Sequence, residues 1–221
     1  MPLHLKREIE KLKCRILKLG SAVEEAVQLA TVSIKCCDEK LAKQVVDNDD
    51  RIDQMEIDIE EECLKILALH QPVAIDLRFI VSVLKINSDL ERIGDLAVNI
   101  AKRAPAIDSK ITVTLDPDYL DMATDVQRML QKSLDALVNM DVKLAVEVCK
   151  MDDNIDELNR NIRKQIKAHI IKAPENIESY IQILGIPRDL ERIGDHASNI
   201  AEDVIYMVEG KIVRHNKTGG Q

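Results

Sequence analysis

The sequence predicts an all-α protein: two tandem antiparallel three-helix bundles, six long helices in all, related by internal duplication. Three observations predict it. Seven Gly and six Pro in 221 residues leave little punctuation in a chain rich in Leu, Ile, Val, Ala, Glu and Lys. Apolar residues recur at alternating intervals of four and three, the seam of a bundle helix. The stretch DLERIGDLAVNIA from Asp89 returns as DLERIGDHASNIA from Asp189, differing only at Leu96/His196 and Val98/Ser198. A period near one hundred residues marks a duplicated domain, since solenoid repeats are far shorter.

The elements follow in order. The first helix carries its seam on Leu5, Ile9, Leu12, Ile16, Leu19, Val23, Ala26, Ala30, Ser33 and Cys37. Asp38 is the predicted N-cap of a second helix, which continues through Leu41, Val45, Ile52, Met55, Ile59 and Ile66 and ends at LHQP. Pro72 marks a turn or the opening turn of the third helix, whose seam is Phe79, Val83, Ile86, Leu90, Ile93, Ala97 and Ile100. Asp116 and Pro117 start a fourth helix, which runs to about Met140. The segment from Asp141 then matches the segment from Asp38, and the fifth helix runs to about Lys172. The sixth carries Ile183, Ile186, Leu190, Ile193, Ala197 and Ile200, with Gly210 as its C-terminal cap. Pro187 replaces Asn87 of the first copy, which predicts a kink or restart near LGIPR. The domain reading is a first three-helix repeat over 1–104, a linker over 105–116, a second repeat over 117–210 and a mobile tail over 211–221.

Composition narrows the function. Apolar residues make up 46% of the chain, enough for a core, but with no Trp and one Phe that core is aliphatic. A net charge of −8 argues against nucleic acid as a partner, because phosphate contacts need a basic face. The basic residues Lys6, Arg7, Lys11, Lys13, Arg15 and Lys18 read as a solvated helix face. Five cysteines without a CxxC spacing read as reduced thiols. No apolar run approaches the ~20 residues that span a bilayer, and the N-terminus has no signal-peptide core. The expectation is a soluble cytosolic protein.

The acids interrupt the pattern. Glu91 and Asp95 lie four apart beside the seam of the third helix, on a stripe shared with Leu84 and Val98. Glu191 and Asp195 repeat this in the sixth helix. The second and fifth helices bring matching pairs, Asp49 with Asp53 and Asp152 with Asp156, flanking Ile52 and Ile155. One like-charged pair at this spacing costs a few tenths of a kcal/mol, and four gathered carboxylates cost several times that. Three readings remain open. The pairs are solvated; or they meet arginines, with Arg78 and Arg188 in reach and Arg92 and Arg192 pointing elsewhere; or they hold cations. The third gains weight because both copies keep the pairs on both helices. Such an all-oxygen donor set suits hard cations: Mg, Mn, Ca or oxidised Fe. Glu24 or Glu25 could join in the first copy, but the second offers Gln127 there. His196 and His169 read as structural or solvated before they read as ligands, and His70 falls in a turn. Gly94 and Gly194, costly inside helices, predict close helix approach ahead of a hinge.

These motifs carry a resemblance. The two ERIGD segments, QPVAIDLRFI and the two DxxID segments make the chain, from about residue 3 to residue 210, similar to the PhoU family of phosphate-uptake regulators. The resemblance implies a pair of three-helix bundles. It places the family's E(D)xxxD motif on Glu91 with Asp95 and on Glu191 with Asp195, and the preceding paired acids on Asp49 with Asp53 and on Asp152 with Asp156. It implies multinuclear metal clusters there, of iron or zinc in some members and of magnesium or manganese in others. It implies a cytoplasmic accessory, peripheral to the inner face of the membrane through its partners, that restrains phosphate uptake and phosphate-starvation signalling. Its implied partners are the ATPase of a phosphate ABC transporter, a phosphate-sensing histidine kinase and a second copy in a homodimer. Pro187 and the unduplicated Glu24 imply that the two clusters are not identical.

Two other classes compete. A di-iron bundle enzyme wants Glu-x-x-His on two helices, and no histidine here has a Glu three residues before it. Neither a phosphate loop nor a nucleophile elbow is present in the sequence, so the expectation is a non-enzyme. The remaining alternative is a helical scaffold with solvated acids.

Overall fold

The computed structural model describes residues 3–107, 111 and 117–212. The described residues form α-helices joined by short turns: α1 (Leu3–Cys36), α2 (Glu39–Asp47), α3 (Asp49–His70), α4 (Ala74–Ala101), α5 (Pro117–Asn139), α6 (Val142–Lys172) and α7 (Ile177–Glu209). Single 3-10 turns follow α4 (Ala104–Ala106) and precede α7 (Pro174–Asn176). No strand occurs among the described residues.

The expected second helix is divided, with Asn48 standing between α2 and α3. Asn48 keeps a helical backbone (φ −87°, ψ −7°) but makes no side-chain cap. Asn competes for backbone hydrogen bonds and favours such breaks. The equivalent position in the second copy is Met151, a good helix former, and α6 runs through it without interruption. The rods therefore still number six, in two groups of three.

The corners are built twice in the same way. Cys37 and Met140 both take a left-handed backbone, φ 48° and 51°. Asp38 then donates its backbone N–H to the Ser33 carbonyl, and Asp141 donates to that of Ala136, closing each helix with a 6→1 bond. The same two aspartates cap the next rod. Asp38 Oδ1 accepts from the amides of Lys40 and Leu41, and Asp141 Oδ1 from those of Lys143 and Leu144. One residue ends a helix and starts its antiparallel successor, which fixes the entry angle of the acidic rods α2–α3 and α6.

Three further boundaries refine the expectations. Pro72 lies in the turn, and the extended Val73 precedes α4. Gly210 caps α7 with φ 71°, its N–H donating to the Tyr206 carbonyl at 2.8 Å. α7 runs unbroken through Pro187, with no restart. Pro187 is buried, so packing holds the helix together where one backbone hydrogen bond is missing. Asp116, most of the 105–116 linker and most of the tail fall outside the described residues.

α1, α3 and α4 pack as one bundle and α5, α6 and α7 as the other, and α4 meets α7 and α1 meets α5 between them. The pairs Lys85–Asp203, Asp89–His196 and Arg103–Asp189 show that α4 and α7 run antiparallel. A single aliphatic core extends across both bundles, from Leu12, Ile16 and Leu19 through Ile86, Leu90 and Ile93 to Ile186, Leu190 and Ile193. Burying each such side chain contributes about 1.5–3 kcal/mol. No described helix is long and apolar enough to cross a membrane.

Candidate metal centre

The seam residues that drive α3 against α4 also decide where the acids sit. Ile52 of α3 and Ile155 of α6 are buried, 3% and 1% exposed, and they face Gly94 of α4 and Gly194 of α7. The missing side chain lets each isoleucine come close, as the recurring glycines predict. The flanking acids are thereby drawn to the rim of the same contact. A hinge is not needed to explain either glycine.

In the first repeat, Asp49 and Glu91 are part-buried, Asp95 is part-buried and Asp53 is exposed. Loss of hydration pushes the Asp49 carboxyl above the ordinary range, and the charges of Asp53 and Asp95 push it further. The Asp49 Oδ1 atom is buried without a hydrogen-bond partner. Glu91 is likewise raised, first by burial and then by Asp95, while Arg92 pulls it back. Arg92 corrects an expectation. The helix periodicity points its side chain away, but it folds back to 3.5 Å from Glu91 and 3.7 Å from Asp95. The long guanidinium arm reaches around the helix although its Cα faces outward. Being 59% exposed, Arg92 screens the acids weakly. Arg78, one of the two arginines that the spacing puts in reach, lies against Gly210 instead.

In the second repeat, Asp152, Asp156 and Glu191 are part-buried and Asp195 is exposed. Burial raises Asp152, with Asp156 adding to it and a 3.4 Å hydrogen bond from Ser198 opposing it. Glu191 is raised by burial and by Asp156 and Asp152, against the pull of Arg163 and a hydrogen bond from Asn159. Asp195 is pushed up to about 6, first by lost hydration and then by Asp152, Glu191 and Asp156. Sequence periodicity gave no sign of Arg163, Asn159 or Ser198. Arg188 does not reach these acids; it pairs with Asp189 at 3.4 Å.

The structure thus brings each α3 or α6 pair within electrostatic reach of its α4 or α7 pair. As the side chains stand, no group of three or more His, Cys, Asp or Glu among the described residues converges closely enough to hold an ion. The chemistry of the donors nevertheless fits a cation. The carboxylates raise one another's proton affinity, and a buried Asp49 oxygen lacks any partner. An all-oxygen set of this kind suits hard cations and is a poor match for zinc, which prefers nitrogen and sulfur.

The remaining residues resolve differently. Glu24 lines an open cleft of about 550 Å³ between α1 and α5, together with Gln127. Burial and the nearby Asp135 raise its carboxyl, so it faces the second bundle. Glu25 borders the same cleft and a small hollow beside Asn48 and Ile52. His196 is structural: its Nδ1 lies 2.8 Å from Asp89 Oδ1 across the α4–α7 contact. His169 stacks on Tyr180 with ring centroids 5.9 Å apart.

Comparison with known proteins decides the family. The family model described as the PhoU domain matches residues 16–104 and 119–204. The chain belongs to the PhoU family. It is 40% identical over 209 residues to the phosphate-specific transport system accessory protein PhoU homolog of Pseudomonas aeruginosa, covering 94% of this chain and 86% of that protein. It is 37% identical to PhoU homolog 1 of Thermotoga maritima, covering 94% and 90%. Its fold superposes on the crystal structure of PhoU from Pseudomonas aeruginosa with a TM-score of 0.86 at 38% identity, covering 93% of this chain and 99% of that one. Both PhoU-domain matches enclose an ERIGD segment and the paired acids of the preceding rod.

Proposed function

We propose that this chain is a non-enzymatic accessory of phosphate transport that restrains uptake and phosphate-starvation signalling, and that its acidic pairs bind hard metal ions. The observation that carries the reading is the duplicated acid pair on facing rods of a PhoU-family fold. The relatives' printed names, accessory proteins of the phosphate-specific transport system, support the role. The residues that would hold metal are Asp49, Asp53, Glu91 and Asp95 in the first repeat, and Asp152, Asp156, Glu191 and Asp195 in the second. A bound cation would supply positive charge. The chain's own part is to carry carboxylates on facing rods within electrostatic reach of one another, so that neutralising them would brace α3 to α4 and α6 to α7. Ile52 against Gly94 and Ile155 against Gly194 hold the rods in register for this. The braced rods then present a fixed surface to the transporter's ATPase, to a sensor histidine kinase and to a second copy, at the cytoplasmic face of the membrane.

The test is metal analysis of protein purified without added metal or chelator, beside Glu91→Gln/Asp95→Asn and Glu191→Gln/Asp195→Asn. Each double variant should lose the metal of its own repeat and the thermal stability that metal confers. Full metal content in both double variants would show that the acids are solvated surface. Recovery of the transporter ATPase and the kinase from cells at high and low phosphate tests the regulatory half.

A further inference from the structure

The cleft between α1 and α5 is walled twice by the same stretch of the duplicated sequence. Ser21, Glu24 and Gln28 of α1 hold the positions that Thr124, Gln127 and Gln131 hold in α5, and all six line it. Both copies thus keep a hydroxyl, then a carboxylate or its amide analogue, then an amide. Their spacing of three and four puts each set on one stripe, so two polar stripes face each other across the cleft. Val27 and Leu130, also counterparts, line it at 0% and 1% exposure and give it an apolar floor. Two contacts close its ends. Just before Ser21, Gly20 lets the α1 backbone come against Leu134, whose Cδ2 would stand 2.7 Å from an added Cβ. Just after Gln28, Thr31 accepts a 2.7 Å hydrogen bond from Gln127 Nε2. The Thr31 hydroxyl gives its own hydrogen to the Gln28 or Val27 carbonyl, at 2.9 and 3.1 Å. Gln127 is therefore turned with its carbonyl oxygen left as an acceptor.

The charge of the cleft is unbalanced. Glu24 is part-buried; lost hydration and Asp135 both raise its carboxyl, and no cation pulls it back. Arg128 borders the cleft, but its guanidinium lies 3.1 Å from Asp125 on its own helix. The complement of such a site is a cation that carries N–H donors and methylene groups: ammonium for Glu24 and the amide and hydroxyl oxygens, methylene for Val27 and Leu130. A hard metal ion fits less well, because Glu24 is the sole part-buried carboxylate of the lining. The polar positions recur about every 5.4 Å, one helical turn, close to the spacing of two amines on a four-carbon chain. At about 550 Å³ the cleft has the size of a small-molecule site. We propose that the cleft between α1 and α5 binds a linear diamine or polyamine, with Glu24 as its charged anchor and Gln28, Gln127 and Gln131 as acceptors for its N–H groups. Both repeats build the site, so each chain takes one ligand. The proposal is independent of metal at the acidic pairs.

The test is equilibrium dialysis of the metal-free full chain against radiolabelled spermidine at physiological salt, with unlabelled 1,4-diaminobutane as competitor. Wild type should bind one equivalent. Glu24→Gln should weaken binding about tenfold or more, the loss of a charged hydrogen bond, with unchanged helical circular dichroism. Because Gln127 is the counterpart of Glu24, Glu24→Gln/Gln127→Glu should restore it. Thr31→Val releases Gln127 and should weaken binding to a lesser degree. Any acidic chain attracts polyamines, so Glu60→Gln/Glu61→Gln on the exposed face of α3 is the control and should bind as wild type does. Absence of binding, or a loss in Glu24→Gln no larger than in the control, would overturn the proposal. Displacement of spermidine by an equal concentration of Mg(II), with the same dependence on Glu24, would show an inorganic cation site and overturn it as well.

Discussion

Replacing Arg103 by Met tests how firmly the two repeats are joined. Arg103 follows α4, and its Nη2 donates to Asp189 Oδ2 at 3.0 Å on α7. Asp189 is 1% exposed, so its charge has little access to water. Gly185 provides the space: a Cβ there would collide with the Arg103 guanidinium. Removing one partner of a buried ion pair costs about 3–5 kcal/mol. Two features reduce that here. Arg103 is itself 21% exposed, and Arg188 remains 3.4 Å from the other Asp189 oxygen. About 2–3 kcal/mol is therefore expected, which for a chain of this size lowers the thermal midpoint by roughly 5–10 °C. Arg103→Met/Asp189→Asn should recover more than half of the loss, because no charge is then stranded. The assay is thermal unfolding followed by circular dichroism, for wild type, both single variants and the double variant. A shift below about 2 °C for Arg103→Met, or a double variant no better than the single, would refute the claim that Asp189 depends on Arg103.

Other expectations are open to the same kind of measurement. Gly194→Ala places a methyl 3.5 Å from Ile155, an ordinary contact, and should gain up to about 1 kcal/mol of helix propensity; Gly94→Ala places it 3.2 Å from Ile52 Cγ2, so it should gain less or destabilise in urea titration. The equivalent substitutions should thus differ, and equal effects would contradict the tighter fit at Gly94. Asp195 has its folded pKa raised to about 6, so the metal-free protein holds that proton beyond the point where the unfolded chain releases it. Its contribution should be most favourable at low pH and be lost as pH rises through about 6. Urea titrations in chelator at pH 5 and pH 7.5 should show this, and Asp195→Asn should flatten the difference. Asp38→Ala and Asp141→Ala should each cost about 1 kcal/mol through loss of the corner cap; a cost at only one would show that the corners differ in more than their rods.

Local features were readable from the chain alone because each rests on neighbours in sequence. The Asp38 cap, the Gly210 terminus and the paired acids on facing rods follow from periodicity and terminal chemistry. The break at Asn48 follows from one residue's preference set against a continuous seam, and seam spacing cannot weigh the two. The reach of Arg92 depends on a long side chain turning back toward its own helix, which Cα direction conceals. The Arg103–Asp189 and His196–Asp89 pairs join residues 86 and 107 positions apart. Periodicity states which face a residue lies on, not which distant side chain meets it. The same limit hid Asn159 and Ser198, whose spacing marks nothing beyond an ordinary helix face.

The leading aspartates of the two DLERIGD segments show what duplication conserved and what it released. Asp89 meets His196 and Asn199, whereas Asp189 meets Arg103 and Arg188. Were the repeats interchangeable, Asp189 would face Leu96 and Asn99, the counterparts of His196 and Asn199. Leu96 offers no hydrogen bond, and the needed cation comes instead from Arg103, one turn past Asn99. Each copy keeps its aspartate but satisfies it by a different residue of the other copy. Replacing His196 by its counterpart Leu96, or Arg103 by its counterpart Asp203, would therefore remove the partner of an aspartate. The contact between α4 and α7 thus joins unlike partners, although each copy brings the same DLERIGD segment to it.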